Sequence, residues 1–193
     1  MYCKDSRLIV GAAILALATS AWACGGGGTE VRRPEETAVA NIKLTSVAFA
    51  DGQPIQARYT CDGEDKSPAL RWTGLPQGAR STALIVDDPD APGRVFVHWV
   101  LYGIPVSMTE LPEGVSGAAR TSFGARNGTN DFGRSGYGGP CPPPGKPHRY
   151  IFTLYALDGG LDLEPGAGKK ELLSAMNGHV LAEGRLVGTY QRR

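Results

Sequence analysis

Two long apolar runs, each tied to a histidine and preceded by a rigid turn, constrain this chain more than anything else in it. The first is Val95–Ile104, which carries His98-Trp99 and follows Asp87-Asp88-Pro89-Asp90-Ala91-Pro92. The second is Tyr150–Leu157, entered through His148-Arg149 and preceded by Gly138-Gly139-Pro140-Cys141-Pro142-Pro143-Pro144-Gly145. Both runs are rich in Val, Ile, Phe, Trp and Tyr, so they read as central strands. A plain core needs neither the acids nor the stiff loops. Together they read as two walls of one polar pocket on a β scaffold.

Further short strands are expected at Ile42–Phe49, Ala69–Trp72, Ser81–Val86 and Leu186–Tyr190. Asp51-Gly52 and Asp87-Asp88-Pro89 are turn signals between them. Beyond the first residues, only Lys169–Leu181 has a convincing helical pattern. Strands at this spacing with one late helix, and no strand–helix alternation, predict a mainly β sandwich of two antiparallel sheets with a short C-terminal helix. A chain of 193 residues is long enough for one domain with a sizeable core. The glycine-rich stretch 110–147 has little regular pattern. It reads as a loop folded over the pocket.

The N-terminus reads as a targeting signal. Lys4 and Arg7 precede an apolar stretch from Leu8 to Ala18, then Ser20-Ala21-Trp22-Ala23-Cys24. That is a charged region, a short apolar core and a small-residue cleavage site, so residues 1–23 are expected to be a signal peptide. Cys24 at the next position predicts lipidation, and residues 24–40, rich in Gly, Thr, Glu, Arg and Pro, read as a flexible tether. The expected location is the bacterial cell envelope, anchored to a membrane by lipid. The alternative is plain secretion to a soluble periplasmic or external form. Cleavage removes Lys4, Arg7 and Asp5 and leaves no net formal charge, so nucleic acid is not expected as a partner. Cys61 and Cys141 then remain as a pair in a compartment that permits disulfides. A bridge is expected, with two free buried thiols as the alternative.

The candidate ligand-binding residues are Asp88, Asp90, Pro92, His98, Gly139, Pro140, His148 and Tyr150. Pro89 and Pro92 stiffen the loop that bears the two aspartates. A histidine in an apolar strand has to be hydrogen-bonded or face a pocket. Two of them near two acids predict a site in which carboxylates orient the imidazoles and favour their charged forms. Charged imidazoles with free backbone N–H groups suit a small anion such as phosphate. Gly139 would let its loop approach the ligand closely. Arg149, on the opposite face from His148, is expected to pair with an acid. A catalytic reading is weaker. Two histidines and a carboxylate could hold a metal, but the chain has no His-x-Asp or His-x-x-x-His pair and no Gly-x-Ser-x-Gly elbow. No metal, cofactor or catalytic residue is expected.

At these segments the chain resembles the phosphatidylethanolamine-binding protein family, in its bacterial Raf-kinase-inhibitor-like branch. Asp88-Pro89-Asp90-Ala91-Pro92 with His98-Trp99 is similar to the family's first signature, and Gly139-Pro140 through His148-Arg149-Tyr150 to its second. Tyr59-Thr60-Cys61-Asp62-Gly63 and Ser67-Pro68-Ala69-Leu70-Arg71-Trp72 also look like this branch, and the likeness runs over about 42–192. The resemblance implies a family-like domain over 41–193 with a Greek-key arrangement of its two sheets. It also implies a small anion pocket lined by Asp88, Asp90, His98, Gly139, His148 and Tyr150. Prolines inserted between Gly139 and His148 and a short Pro92-to-His98 connection separate it from the eukaryotic pattern. The implied function is an extracytoplasmic binding protein for a phosphate- or carboxylate-bearing ligand that engages a protein partner. Inhibition of a serine protease or another envelope hydrolase is the alternative, phosphoester or ester hydrolysis a weaker one. A homodimer is compatible with this reading.

Overall fold

The computed structural model describes residues 40–192, so the expected signal peptide, Cys24 and the tether up to residue 39 lie outside the described residues. The described strands are β1 (Ala40–Asn41), β2 (Lys43–Ser46), β3 (Leu70–Thr73), β4 (Ser81–Asp88), β5 (Phe96–Pro105), β6 (Glu110–Leu111), β7 (Arg126–Asn127), β8 (His148–Leu157) and β9 (Val180–Tyr190). One helix, α1 (Lys169–Met176), precedes β9. The larger sheet runs β1-β9-β8-β4-β5-β7 and the smaller one β2-β3-β6. All pairings between these strands are antiparallel except β1 with β9. The mainly β, two-sheet architecture with one short helix is therefore the one the sequence predicts.

Burial on both faces explains why β4 and β5 are apolar almost throughout. Leu84, Val86, Trp99 and Leu101 face the smaller sheet, where they pack with Leu44, Leu70 and Trp72. Ala83, Ile85, Val97 and Tyr102 face the other way and pack under Leu172 and Met176 of α1. A strand covered on both faces loses the polar–apolar alternation of a solvated one. At about 25 cal/mol per Å² of apolar surface removed from water, such aromatic and branched side chains dominate the driving force.

The helix is shorter than its sequence pattern. It stops at Met176, Gly178 takes φ +80, and the chain enters β9 at Val180. A left-handed residue suits glycine and ends the helix. Residues 180–185, expected partly as helix, instead extend the last strand, because β9 pairs with β8 along nearly its whole length. Tertiary pairing overrides the local preference. Asp87 and Asp88 close β4 rather than forming a turn. The stretch 110–147 is also more ordered than expected: β6 and β7 lie in it, and further bridges join Arg120 to Arg126 and Thr129 to Ser135.

Candidate functional site

The end of β4 lies beside the start of β8, and strand alternation decides which side chains meet there. Asp88 shares the face of Leu84 and Val86, and His148 and Tyr150 share the face of Phe152. Asp88 is 3% exposed, His148 8% and Tyr150 0%, so three polar groups enter the rim of the core together. His148 Nδ1 sits 2.7 Å from Asp88 Oδ2. The other carboxylate oxygen accepts the Asp90 N–H at 2.8 Å, closing the turn that follows β4. Both Asp88 oxygens are thus engaged. The Tyr150 hydroxyl is buried close to the Asp88 carboxylate, and no group meets it with full hydrogen-bond geometry. Burial, then the charge of Asp88, hold this phenol far above its ordinary pKa.

His98 reaches the same place from β5 by an irregularity. Pairing between β4 and β5 matches Val86 with Trp99 but Asp87 with Val97, so His98 has no partner across the ladder. A bulge of this kind re-aims a side chain. It turns His98 toward Tyr150, whose ring lies edge-on at 5.1 Å. His98 Nδ1 meets the Gly138 carbonyl at 2.7 Å, and the Gly138 N–H donates back to the His98 carbonyl at 2.9 Å. Phe96 and Phe132 pack on the ring at 5.1 and 5.3 Å. His98 itself is 3% exposed and Phe132 41%, so the phenylalanine stands on the solvent side. Burial pushes the His98 imidazole below its ordinary pKa, and the Gly138 carbonyl and the Asp88 charge oppose this only in part.

The loop between Gly138 and His148 therefore feeds both walls. Its first residue supplies the acceptor for His98, and its last connection leads into the partner of Asp88. Cys141 is joined to Cys61 by a disulfide with a Cα–Cα distance of 5.4 Å. The Cys61 N–H donates to the Pro140 carbonyl at 3.1 Å. From the far end of β9, Gln191 Nε2 donates to the Gly145 carbonyl, and Tyr190 and Arg192 both hold Asp62 beside the bridge.

The expected residues converge only in part. Asp88, His98, His148 and Tyr150 form one connected group. Asp90 does not join it, because its carboxylate binds the Arg149 guanidinium through both oxygens and the Arg149 N–H. That clamp lowers its pKa to about 2. Pro92 is exposed in the turn and Pro140 is buried in the loop. Gly139 is a glycine for a different reason than expected. A Cβ there would lie 2.5 Å from the Tyr59 carbonyl and 2.8 Å from Thr60 Cα, and its N–H already donates to Asp65 Oδ1. The close approach is to protein, not to open space for a ligand.

Carboxylates also do less for the imidazoles than expected. Asp88 orients His148, but His98 is held by a neutral carbonyl and burial disfavours its charged form. Asp65, Phe96, Asn130 and Phe132 are missing from the sequence reading. Asp65 takes φ 53 and holds Gly139. Asn130 Oδ1 accepts the N–H groups of Phe132 and Arg134 and so presents Phe132. An aromatic in the polar turn Asn130-Asp131-Phe132-Gly133 is a signal that sequence could have offered. The conformation of Asp65 is not.

A family model described as phosphatidylethanolamine-binding protein matches residues 45–191. A protein of Methanothermobacter thermautotrophicus named UPF0098 is 55% identical over 151 residues, covering 78% of this chain and 99% of its own length. A Mycobacterium tuberculosis protein whose name marks it as a candidate lipoprotein, LppC, is 38% identical and covers 92% of each chain. Among solved structures, CT736 of Chlamydia trachomatis, described as a candidate homologue of the same family, superposes with a TM-score of 0.71 at 40% identity. It covers 79% of this chain and 99% of its own.

Proposed function

The chain belongs to the phosphatidylethanolamine-binding protein family, and on that premise we propose that it binds a small oxyanion-bearing ligand reversibly, without turnover, at the bacterial cell envelope. One observation carries the reading. Four polar side chains, Asp88, His98, His148 and Tyr150, meet at the rim of an otherwise apolar core, yet the Tyr150 hydroxyl and the Nε2 of each imidazole are given no hydrogen bond by the described residues. A buried hydroxyl left over in this way, such as that of Tyr150, normally awaits a partner. A phosphate or carboxylate group is compact enough for that position and accepts from a phenol.

Binding is favoured over catalysis because no hydroxyl or thiol among the described residues hydrogen-bonds to either imidazole, so neither histidine has a nucleophile to activate. The envelope location rests on the signal-like N-terminus with Cys24 and on the lipoprotein name of the mycobacterial relative. A protein partner, such as an envelope hydrolase held inhibited, is the second reading. Titration of phosphate, acetate and phosphoethanolamine into the purified domain by calorimetry or NMR tests the first. The expected result is saturable binding that His98→Ala and His148→Ala each weaken at least tenfold with the fold retained. Equal affinity in both variants would remove the site from consideration. Turnover of an ester by the wild type would reverse the assignment.

A further inference from the structure

The hydrogen-bond inventory of the site restricts the ligand further. Nearly every donor at the site is already committed inside the protein. The Gly138 N–H goes to the His98 carbonyl, the Gly139 N–H to Asp65, and the Asp90 N–H to Asp88. The Arg149 N–H and guanidinium go to Asp90. Each imidazole places Nδ1 against an acceptor, the Gly138 carbonyl for His98 and the Asp88 carboxylate for His148. In His98, which burial favours in the neutral form, the acceptor at Nδ1 fixes the one N–H there, so Nε2 presents a lone pair. On the His98 side the site thus offers the buried Tyr150 hydroxyl beside an imidazole acceptor. It also contains the Asp88 carboxylate. Beside His98 a fully ionised oxyanion would meet a lone pair and the negative charge of Asp88.

Resting on the oxyanion-binding reading above, we propose that the site takes its ligand as an acid. The ligand class is a phosphate monoester or carboxylic acid that still carries an O–H. That O–H donates to His98 Nε2, while another ligand oxygen accepts from Tyr150. A phosphodiester lacks the proton and is discriminated against. The alternative, a protonated His98, is opposed by its surroundings. Phe96 and Phe132 enclose the ring, with Arg94 and Arg134 stacked on their outer faces. Of the charged groups nearest, Asp88 on β4 is engaged by His148, and Asp87 on the same strand is turned to Lys169 of α1. Tyr150 on β8 stays protonated, and the loop offers the ring only the backbone of Gly138 and Gly139.

Calorimetry with methyl phosphate and dimethyl phosphate at pH 6, 7 and 8, in two buffers of different ionisation enthalpy, tests this. A phosphate monoester loses its second proton near pH ~6. Methyl phosphate is therefore expected to weaken about tenfold per pH unit above 7 and to take up close to one proton on binding at pH 8. Dimethyl phosphate is expected to bind at least tenfold more weakly at pH 6. Tyr150→Phe should weaken methyl phosphate while leaving proton uptake in place. Equal affinity for the two probes, or methyl phosphate binding at pH 8 without proton uptake, overturns the proposal while leaving an oxyanion site standing. Failure of methyl phosphate, phosphate and acetate alike to bind at any of these pH values overturns both.

Discussion

The β5 wall and the β8 wall of the site each hold one imidazole by Nδ1, and they hold it in opposite ways. His148 stands against a carboxylate that is itself fixed by the Asp90 N–H. His98 stands against the Gly138 carbonyl inside an aromatic box, where burial favours the neutral ring. Two histidines that look alike in sequence therefore differ in the chemistry they offer. The difference comes from the partner at Nδ1 and from burial, neither of which is a property of the strand that carries them. The β8 wall is a paired, charge-bearing structure. The β5 wall is a packed, neutral one.

Removing the carboxylate from the β8 wall should have the largest effect. Asp88→Ala leaves His148 buried without its partner and frees the Asp90 turn. Breaking a buried pair from one side costs about 3–5 kcal/mol. Urea unfolding at pH 7 should show a loss of this size, and His98→Ala a smaller one. A loss under about 1 kcal/mol for Asp88→Ala would mean that the two walls are not built differently.

The loop that serves both walls comes next. Replacing Cys61 and Cys141 together by Ser should lower stability by about 2–4 kcal/mol, as expected for opening a long covalent loop. Because Gly138 and His148 flank this loop, ligand affinity should fall with it. Mass spectrometry of the unreduced protein should find one internal bridge. Two alkylatable thiols would contradict the structure.

The pH dependence of stability tests the neutral β5 wall directly. The folded pKa of His98 lies below its unfolded value, so the unfolded chain takes up the proton first as pH falls. Its contribution is fully favourable above the unfolded value of about 6.5 and is lost as pH drops through it toward the folded value. Urea midpoints measured between pH 7.5 and 5 should fall in wild type, and His98→Phe should flatten part of that fall. An unchanged slope would place the acid sensitivity elsewhere.

Much of the scaffold was legible because burial on both faces writes itself as continuous apolar strands, as in β4, β5 and β8. The pairing of Asp88 with His148 was legible in outline, since an acid and a histidine at the edges of such strands have few ways to be satisfied. The bulge at His98 was not, because register is set by the partner strand and leaves no mark in Phe96-Val97-His98-Trp99. The role of Gly139 was misread for a similar reason. Glycine signals a close approach, but only the fold says that Tyr59, Thr60 and Asp65 are what approaches. The helix was overdrawn past Met176 because β9 claims residues 180–185 by pairing with β8.

The smallest effect is expected at the one aspartate that leaves the site. Asp90 and Arg149 make a bidentate pair on the outer side of the β8 wall, with side chains 29% and 58% exposed. Solvent screens such a pair, so Arg149→Ala should lower stability only slightly at pH 7. The sign with pH is opposite to that of His98. Asp90 titrates near 2 when folded, so its contribution is present above the unfolded carboxylate value of about 3.9 and fades as pH falls toward 2. Wild type and Arg149→Ala should therefore converge in stability between pH 4 and 2, and NMR titration should find the Asp90 carboxylate returned to the ordinary range in the variant. Ligand affinity should hardly change, because the pair stands outside the group formed by Asp88, His98, His148 and Tyr150. A tenfold loss of affinity in Arg149→Ala would instead draw Asp90 back into the site and erase the boundary between the wall that binds and the clamp that braces it.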